Sequence, residues 1–164
     1  MLSVLGSSAG AQTVHPVSMN PASGLTLRLA ALSDAPAIVR LLQTAFDEWP
    51  AVPMDVSALE HLEWKMQPPG GLTPRHTIGL LDGEAVAVDL RWMGYVSVHG
   101  QTLLSNGGAE IAVHPAYQGQ GFSRAIRDHE IRRNQPGELT LVTANDQRAD
   151  RYQTSMFIED ALRL

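Results

Sequence analysis

The residues from Ile111 to Ile126 carry the clearest chemical signal in this sequence. An apolar strand pattern leads into a turn that contains Gly119 and Gly121, and a helical pattern begins directly after it. The first N–H groups of a helix have no partner inside the helix, and the positive end of its dipole lies beside them. Such a helix start binds phosphate groups, and glycines let the ligand approach the main chain. The segment therefore predicts an anion-binding turn.

This turn differs from the two common phosphate-binding motifs. It lacks the third glycine of the dinucleotide fingerprint and the Lys-Ser/Thr ending of a P-loop. A tight turn without any ligand would also explain the two glycines, so that alternative stays open. The six histidines do not have the spacing of metal ligands and the chain has no cysteine, so we expect no metal site and no thiol nucleophile.

Composition narrows the class of protein. With 164 residues, 44% hydrophobic and 18% charged, the chain suits one soluble globular domain. The formal net charge of −5 argues against a nucleic-acid partner, since phosphate binding uses clustered Lys and Arg. No apolar run is long enough to cross a bilayer, so we expect no membrane partner and a cytoplasmic location. Residues 1–24 lack charged residues and the long apolar run of a signal peptide, so we expect a flexible N-terminal extension.

A single domain over residues 25–164 is expected to position the turn. The predicted elements are a strand at 25–29, a helix that begins at Ser33 or Asp34 and ends before Pro50, a helix that begins at Asp55 or Ser57, strands at 77–81, 85–98 and 102–113, a helix at 122–133, a strand at 139–143, a helix at 147–156 and a last strand or helix at 157–164. Asp82-Gly83 and His99-Gly100 are predicted hairpin turns, and Gly94 is expected to mark a bulge or bend. Hairpins mixed with crossovers predict a mixed α/β sheet.

The segment Val113-His-Pro-Ala-Tyr-Gln-Gly-Gln-Gly-Phe-Ser123 resembles motif A of the GNAT acetyltransferase superfamily, Gln/Arg-x-x-Gly-x-Gly/Ala. Gln118, Gly121 and Ser123 stand at its three defined positions. The resemblance implies a mixed α+β, GNAT-like acyl-CoA N-acyltransferase fold, with a central, mostly antiparallel sheet that has a V-shaped splay and is flanked by helices. It implies that coenzyme A is held through two sets of main-chain groups. Those for the pyrophosphate are Gln118, Gly119, Gln120, Gly121, Phe122 and Ser123, and those that pair with the pantetheine arm are Ile111, Ala112 and Val113.

A later segment is similar to another motif of the same family, in which an Asn precedes a helical Tyr and then Gly-Phe. Asn145 and Tyr152 match it by spacing, and Met156 stands where the Gly is usual. The resemblance implies that Asn145 contributes to the cofactor site and that Tyr152 protonates the departing thiolate. The alternative for Tyr152 is a half-buried packing residue.

The resemblance also suggests a base for the amine that attacks the thioester. Glu110 is the first candidate, since family members often carry a carboxylate just before the pantetheine-pairing residues, and Asp89 is the second. For either residue the alternative is an ordinary polar strand position. An amide near Val113 could donate to the developing oxyanion. Trp49, Trp64 and Trp92 could line an acceptor pocket, although core packing is the better interpretation for any one of them.

These observations favour an acyl-CoA-dependent N-acetyltransferase. The resemblance, which covers about 25–157, implies direct transfer from acetyl-CoA to an amine of a small molecule or peptide in a ternary complex, without a metal. The alternative is a GNAT-like domain that binds coenzyme A or a partner without catalysis, or a fragment of a larger enzyme. Related domains usually continue into another strand, so a missing last strand would expose a sheet edge that a second subunit could cover in a homodimer.

Overall fold

The computed structural model of the chain describes residues 24–46, 48–67, 70–134 and 138–141. The strands in these ranges are β1 (Thr26–Leu29), β2 (Thr77–Leu81), β3 (Glu84–Val98), β4 (Gln101–Val113) and β5 (Leu139–Leu141), and the helices are α1 (Ala35–Ala45), α2 (Ala58–Met66) and α3 (Phe122–Ile131). Short 3-10 turns lie at Leu32–Asp34 and Pro115–Tyr117. The elements predicted at 147–156 and 157–164 lie outside the described residues.

The five strands form one sheet in sequence order, β1-β2-β3-β4-β5. The first three pairs are antiparallel and β4 pairs with β5 in parallel, which confirms the predicted mixed, mostly antiparallel fold class. The β3–β4 hairpin extends beyond the strands on either side of it. Strand β2 pairs with β3 only as far as Asp89, and the described part of β5 pairs with β4 only over Ser105–Gly107. The V-shaped splay of the sheet stays a prediction.

Helices α1 and α2 cover one face of the sheet. The apolar residues of both helices recur at helical spacing, so each presents one buried stripe. This stripe and the sheet side chains beneath it form the larger core, which contains Ala35, Ile38, Leu41, Leu42, Trp49, Leu62, Ile78, Val88, Leu90 and Ala112. Ser57 begins α2 as an N-cap, and its hydroxyl accepts the N–H of Glu60 at 3.2 Å.

Helix α3 covers the opposite face. Its first half packs Phe122 and Ile126 against Val86 and Ala87. Its second half carries Glu130, whose carboxylate is buried. This carboxylate and a second buried one, from Asp89, both lie beside the guanidinium of Arg91.

The guanidinium of Arg91 joins three elements. Its Nε lies 3.3 Å from Asp89 Oδ2 on β3 and 3.5 Å from Glu130 Oε2 on α3. Its Nη1 donates to Asn106 Oδ1 on β4 at 2.5 Å, and Glu130 also accepts from the hydroxyl of Thr77 on β2. Burial raises the pKa of Asp89 to about 6 because the low-dielectric interior disfavours the carboxylate; Arg91 opposes the shift and Glu130 adds to it.

The position of the predicted bulge was wrong. Gly94 pairs regularly with Ser105, and the irregularity lies instead where Leu90 pairs with Glu110 and Arg91 with Gly108, which leaves Ala109 of β4 without a partner. A second register shift separates Gly79 from Leu80 in β2. A Cβ at Gly94 would meet the ring of Trp92 at 3.6 Å, an ordinary van der Waals contact, so packing does not require glycine there.

The other predicted boundaries agree with the structure to within a few residues. Asp34 stands at the start of α1 as predicted, but its carboxylate pairs with Arg28 and accepts the N–H of Ala31 instead of capping the helix. Helix α3 ends at Ile131, two residues before the predicted end.

Candidate active site

The turn before α3 is exposed and strongly bent. Gly119 and Gly121 have φ values of 79° and 85°, in the left-handed region that glycine adopts without strain. Gly121 is the N-cap of α3, and no side chain caps the helix. The N–H of Gln118 closes the preceding 3-10 turn on the carbonyl of Pro115 at 3.3 Å, so this predicted donor is already occupied.

The next five N–H groups are available. In the described part of the chain, the backbone N–H groups of residues 119–123 have no hydrogen-bond acceptor. They lie at the positive end of the α3 dipole, so a negatively charged group there would gain both hydrogen bonds and a favourable field.

A groove of about 480 Å³ leads away from this turn. Its walls come from the end of α1, the last residues of β4 and the start of α3, and it is lined by Ala45, Phe46, Ile111, Ala112, Val113, Tyr117, Gln118, Gly119, Gly121, Phe122, Ser123, Arg124 and Arg127. The groove therefore joins the strand end to the helix start along one continuous surface, with two arginines near the anion-binding turn.

Eight of the predicted cofactor-binding residues line this groove: Ile111, Ala112, Val113, Gln118, Gly119, Gly121, Phe122 and Ser123. The side chain of Gln120 is directed back into the turn, where its Nε2 donates to the carbonyl of Ala116 at 3.2 Å. Asn145 and Tyr152 lie outside the described residues.

Two aromatic contacts shape the turn. Tyr117 stacks on Phe122 with ring centroids 5.9 Å apart, and its ring centroid lies 5.6 Å from that of His114. His114 Nδ1 also accepts the N–H of Ala116 at 3.2 Å. The sequence did not identify Phe46 or Tyr117 as groove residues. Phe46 is more than 60 positions away in sequence from the glycine turn, so no local pattern connects them.

Glu110 lies on β4, one residue before the strand residues that line the groove, and its side chain faces α2. Its Oε1 is paired with Lys65 Nζ, whereas its Oε2 is buried and has no hydrogen-bond partner. Lys65 Nζ also lies 6.0 Å from the ring centroid of Trp49. Glu110 itself does not line the groove, so its role as the base stays a prediction.

The second candidate base lies elsewhere. Asp89 pairs in register with Ile111, is fully buried and contacts Arg91 in the polar cluster beneath α3. It is therefore on the opposite face of the sheet from Lys65.

Two further observations concern the described part of the molecule. None of its helices is long and apolar enough to cross a membrane. Within the same ranges, no three His, Asp or Glu side chains come together as a metal site would require.

Comparisons with known proteins agree with this architecture. A family model described as an acetyltransferase (GNAT) domain matches residues 26–144. Among solved structures, a ribosomal-protein-alanine N-acetyltransferase from Brucella melitensis biovar Abortus 2308 is similar, with 18% identity, a TM-score of 0.58, and coverage of 82% of this chain and 89% of that one. An acetyltransferase from Trypanosoma brucei shows 20% identity and a TM-score of 0.57, covering 79% of this chain and 89% of its own.

An aminoglycoside acetyltransferase from an uncultured soil metagenomic sample, in complex with sisomicin, is similar at 15% identity with a TM-score of 0.57, over 86% of this chain and 88% of that one. At these identities the likeness concerns the fold. No curated protein matches the sequence significantly.

Proposed function

Because this chain belongs to the GNAT acetyltransferase family, we propose that it transfers an acetyl group from acetyl-CoA to an amine. One observation carries the proposal: the unpaired N–H groups of residues 119–123 lie together at an exposed helix start. A pyrophosphate is a ligand of matching charge and size, since several amides and a helix dipole can act on it at once. Arg124 and Arg127 line the same groove and add positive charge.

The rest of coenzyme A follows the groove. From the turn, the groove runs along Ile111 to Val113, where the main chain of β4 offers peptide groups to the amides of the pantetheine arm. In this proposal the thioester lies near the end of the groove at Ile111, one residue along β4 from Glu110.

The proposed step is a direct transfer. Glu110 Oε2 accepts a proton from the acceptor ammonium, and the neutral amine attacks the thioester carbonyl. A C–N bond forms, the nitrogen releases its second proton to solvent water, the C–S bond breaks, and the thiolate of coenzyme A leaves. A main-chain amide near Val113 donates to the oxyanion, and Tyr152, which has a phenol pKa near 10 in ordinary surroundings, returns a proton to the thiolate. The roles of Glu110, Tyr152 and Asn145 remain predictions.

The acceptor is an amine of a small molecule or a peptide. The similar structures include proteins named for acetylation of a ribosomal-protein alanine and of aminoglycosides, so both kinds of amine are handled on this fold.

A pair of substitutions at Ser123 tests the binding site. Ser123 is exposed in the first turn of α3, where an acidic residue favours the helix itself, so Ser123→Glu is expected to fold. The added carboxylate lies beside the proposed pyrophosphate, and we expect it to weaken acetyl-CoA binding by about 10-fold or more in isothermal titration calorimetry. Ser123→Gln has nearly the same shape without the charge and is the matched control. Equal affinities in the two variants would contradict a pyrophosphate at this turn.

Release of free coenzyme A thiol tests the transfer. Wild-type protein with acetyl-CoA and a panel of primary amines is expected to release thiol in proportion to the acetylated amine. Binding of acetyl-CoA without release on any amine would instead identify a coenzyme A-binding domain without catalysis.

A further inference from the structure

The outer half of strand β3 has a free edge. Strand β2 pairs with β3 only as far as Asp89, and within residues 24–46, 48–67, 70–134 and 138–141 no other strand pairs along that edge. Beyond Asp89, the N–H of Arg91 is directed to the same edge and donates to Nδ1 of His76 at 2.9 Å. The strand then continues to Val98 with β4 on its other side. In the described part of the chain, the edge beyond Arg91 is therefore open to another strand.

Alternation along β3 decides which main-chain groups lie at this edge. In an antiparallel sheet, the N–H and C=O groups of successive residues point to opposite neighbours. Val86 accepts the N–H of His114 on the β4 side, whereas Arg91 donates on the β2 side, so even-numbered residues face β4 and odd-numbered residues face the free edge. Among the described residues, the edge groups beyond Arg91 have no hydrogen-bond partner. They belong to Met93, Tyr95 and Ser97.

The sequence of this hairpin favours pairing with a further strand. Natural sheets protect a free edge with charged side chains, proline or a bulge. Residues 92–109 contain no Asp, Glu, Lys, Arg or Pro, although the chain has 12 basic and 17 acidic residues and 10 prolines. The bulge at Ala109 lies on β4, away from the outer half of β3. Tyr95, Val96 and Val98 are residue types that favour strands. The edge therefore combines unpaired main-chain groups with a sequence that favours strand addition.

A second copy of the chain is the partner that this edge fits. An antiparallel strand edge is complementary to itself, because a two-fold axis brings each donor opposite an acceptor of the other copy. The net charge of −5 makes two copies repel, and the uncharged hairpin is where they can approach with the least repulsion. We propose that the outer edge of β3 pairs with the same edge of a second copy, so that a homodimer with one continuous sheet forms. This edge differs from the one that a missing last strand would expose, and the dimer does not depend on the proposed function.

The two-fold axis passes beside Tyr95, which is the middle one of the three edge residues. Tyr95 then pairs with its own copy and Met93 with Ser97, and the two residues of each pair exchange both N–H···O bonds. Tyr95 is 66% exposed, and its side chain is on the same face of the sheet as that of Arg91. Side chains directly opposite across antiparallel strands have Cβ atoms about 5 Å apart, so the two Tyr95 rings contact each other at the axis. The ring pair is the centre of the interface.

Amide hydrogen exchange followed by NMR tests which groups pair. At high protein concentration we expect exchange of the Met93, Tyr95 and Ser97 amides to slow by about 10-fold or more, and we expect this protection to disappear on dilution into the monomer range that sedimentation equilibrium defines. A monomer at every concentration would overturn the proposal, whether the edge amides exchange rapidly or a segment of the same chain protects them. A dimer whose edge amides exchange independently of concentration would use another surface and would overturn it too.

Tyr95→Lys and Tyr95→Gln are the matched variants for the dimer. Both remove the ring from an exposed position, so both are expected to fold, but only Tyr95→Lys places like charges opposite each other at the axis. We expect the dimer dissociation constant of Tyr95→Lys to exceed that of Tyr95→Gln by about 5-fold. Gln101→Lys adds the same charge at an exposed position of β4 in the same hairpin and is expected to change the constant little. If Tyr95→Lys and Tyr95→Gln dissociate equally, or if Gln101→Lys has the same effect as Tyr95→Lys, the proposed pairing is wrong.

Discussion

Glu110 on β4 and Lys65 on α2 form an ion pair, and the ammonium of Lys65 fixes the position of the Glu110 carboxylate. The ammonium of Lys65 holds one oxygen of the carboxylate, and the other oxygen is buried without a hydrogen-bond partner. Lys65 does not touch the substrate in the proposed step, so we expect it to act as a positioning residue.

Substitution of Lys65 tests this role. Lys65→Met removes the charge and releases the carboxylate, and we expect kcat to fall on the order of 10- to 100-fold, as misplacement of a catalytic group does, while the KM for acetyl-CoA stays the same. Lys65→Arg keeps a cation at the carboxylate and is expected to restore most of kcat. Steady-state kinetics measures both. If Met and Arg variants lose kcat equally, the ion pair does not position Glu110.

At the scale of elements, the sequence predicts what is local. The strand Thr77–Leu81 and the Asp82-Gly83 turn follow from alternation and from glycine chemistry, and both occur as predicted. The unpaired residue Ala109 could not be predicted, because a bulge is defined by the register of two strands. The glycine turn could be predicted because its residues are contiguous in sequence. Lys65 and Glu110 are 45 positions apart, so only the fold brings them into contact.

Helix α2 carries Lys65 in its last turn, so the N-cap that starts it also supports the site. Ser57→Ala removes the hydroxyl that accepts the N–H of Glu60, and we expect a loss of about 1 kcal/mol in the free energy of unfolding. Urea denaturation measures it. Ser97→Ala, at an exposed position of β3, is the control and is expected to change stability little. An effect at Ser57 no larger than at Ser97 would argue against the cap.

At the scale of the whole molecule, the charges beneath α3 connect that helix to three strands. Two carboxylates and one guanidinium are almost completely buried there. The sequence indicated Asp89 only as a candidate base and did not single out Glu130, since the burial of both carboxylates results from the packing of α3 on the sheet. Such a cluster makes the stability of the domain depend on pH.

Asp89 is expected to dominate this dependence between pH 4 and pH 6. Its pKa in the folded protein is raised to about 6, above the ordinary value near 3.9, so the folded state holds its proton over this range after the unfolded chain has lost it. The contribution of Asp89 to stability is therefore present below about pH 4 and is lost as pH rises to about 6. The full difference is up to about 3 kcal/mol.

Asp89→Asn does not titrate, so its stability relative to wild type should increase by up to about 3 kcal/mol between pH 4 and pH 7. Urea denaturation at several pH values measures this difference. Asp128→Asn, with a side chain 47% exposed on α3, is the matched control. A difference between Asp89→Asn and wild type that does not vary with pH would contradict the assignment.

The contact between Gly107 on β4 and Trp92 opposite it on β3 has a consequence for descent, because a Cβ at 107 would lie 2.4 Å from the indole Nε1. Both positions share one small volume, so mutation at either one alters which residues the other tolerates. A lineage that gains a β-carbon at 107 should already have exchanged the indole at 92 for a smaller group, and the reverse order of events should be rare.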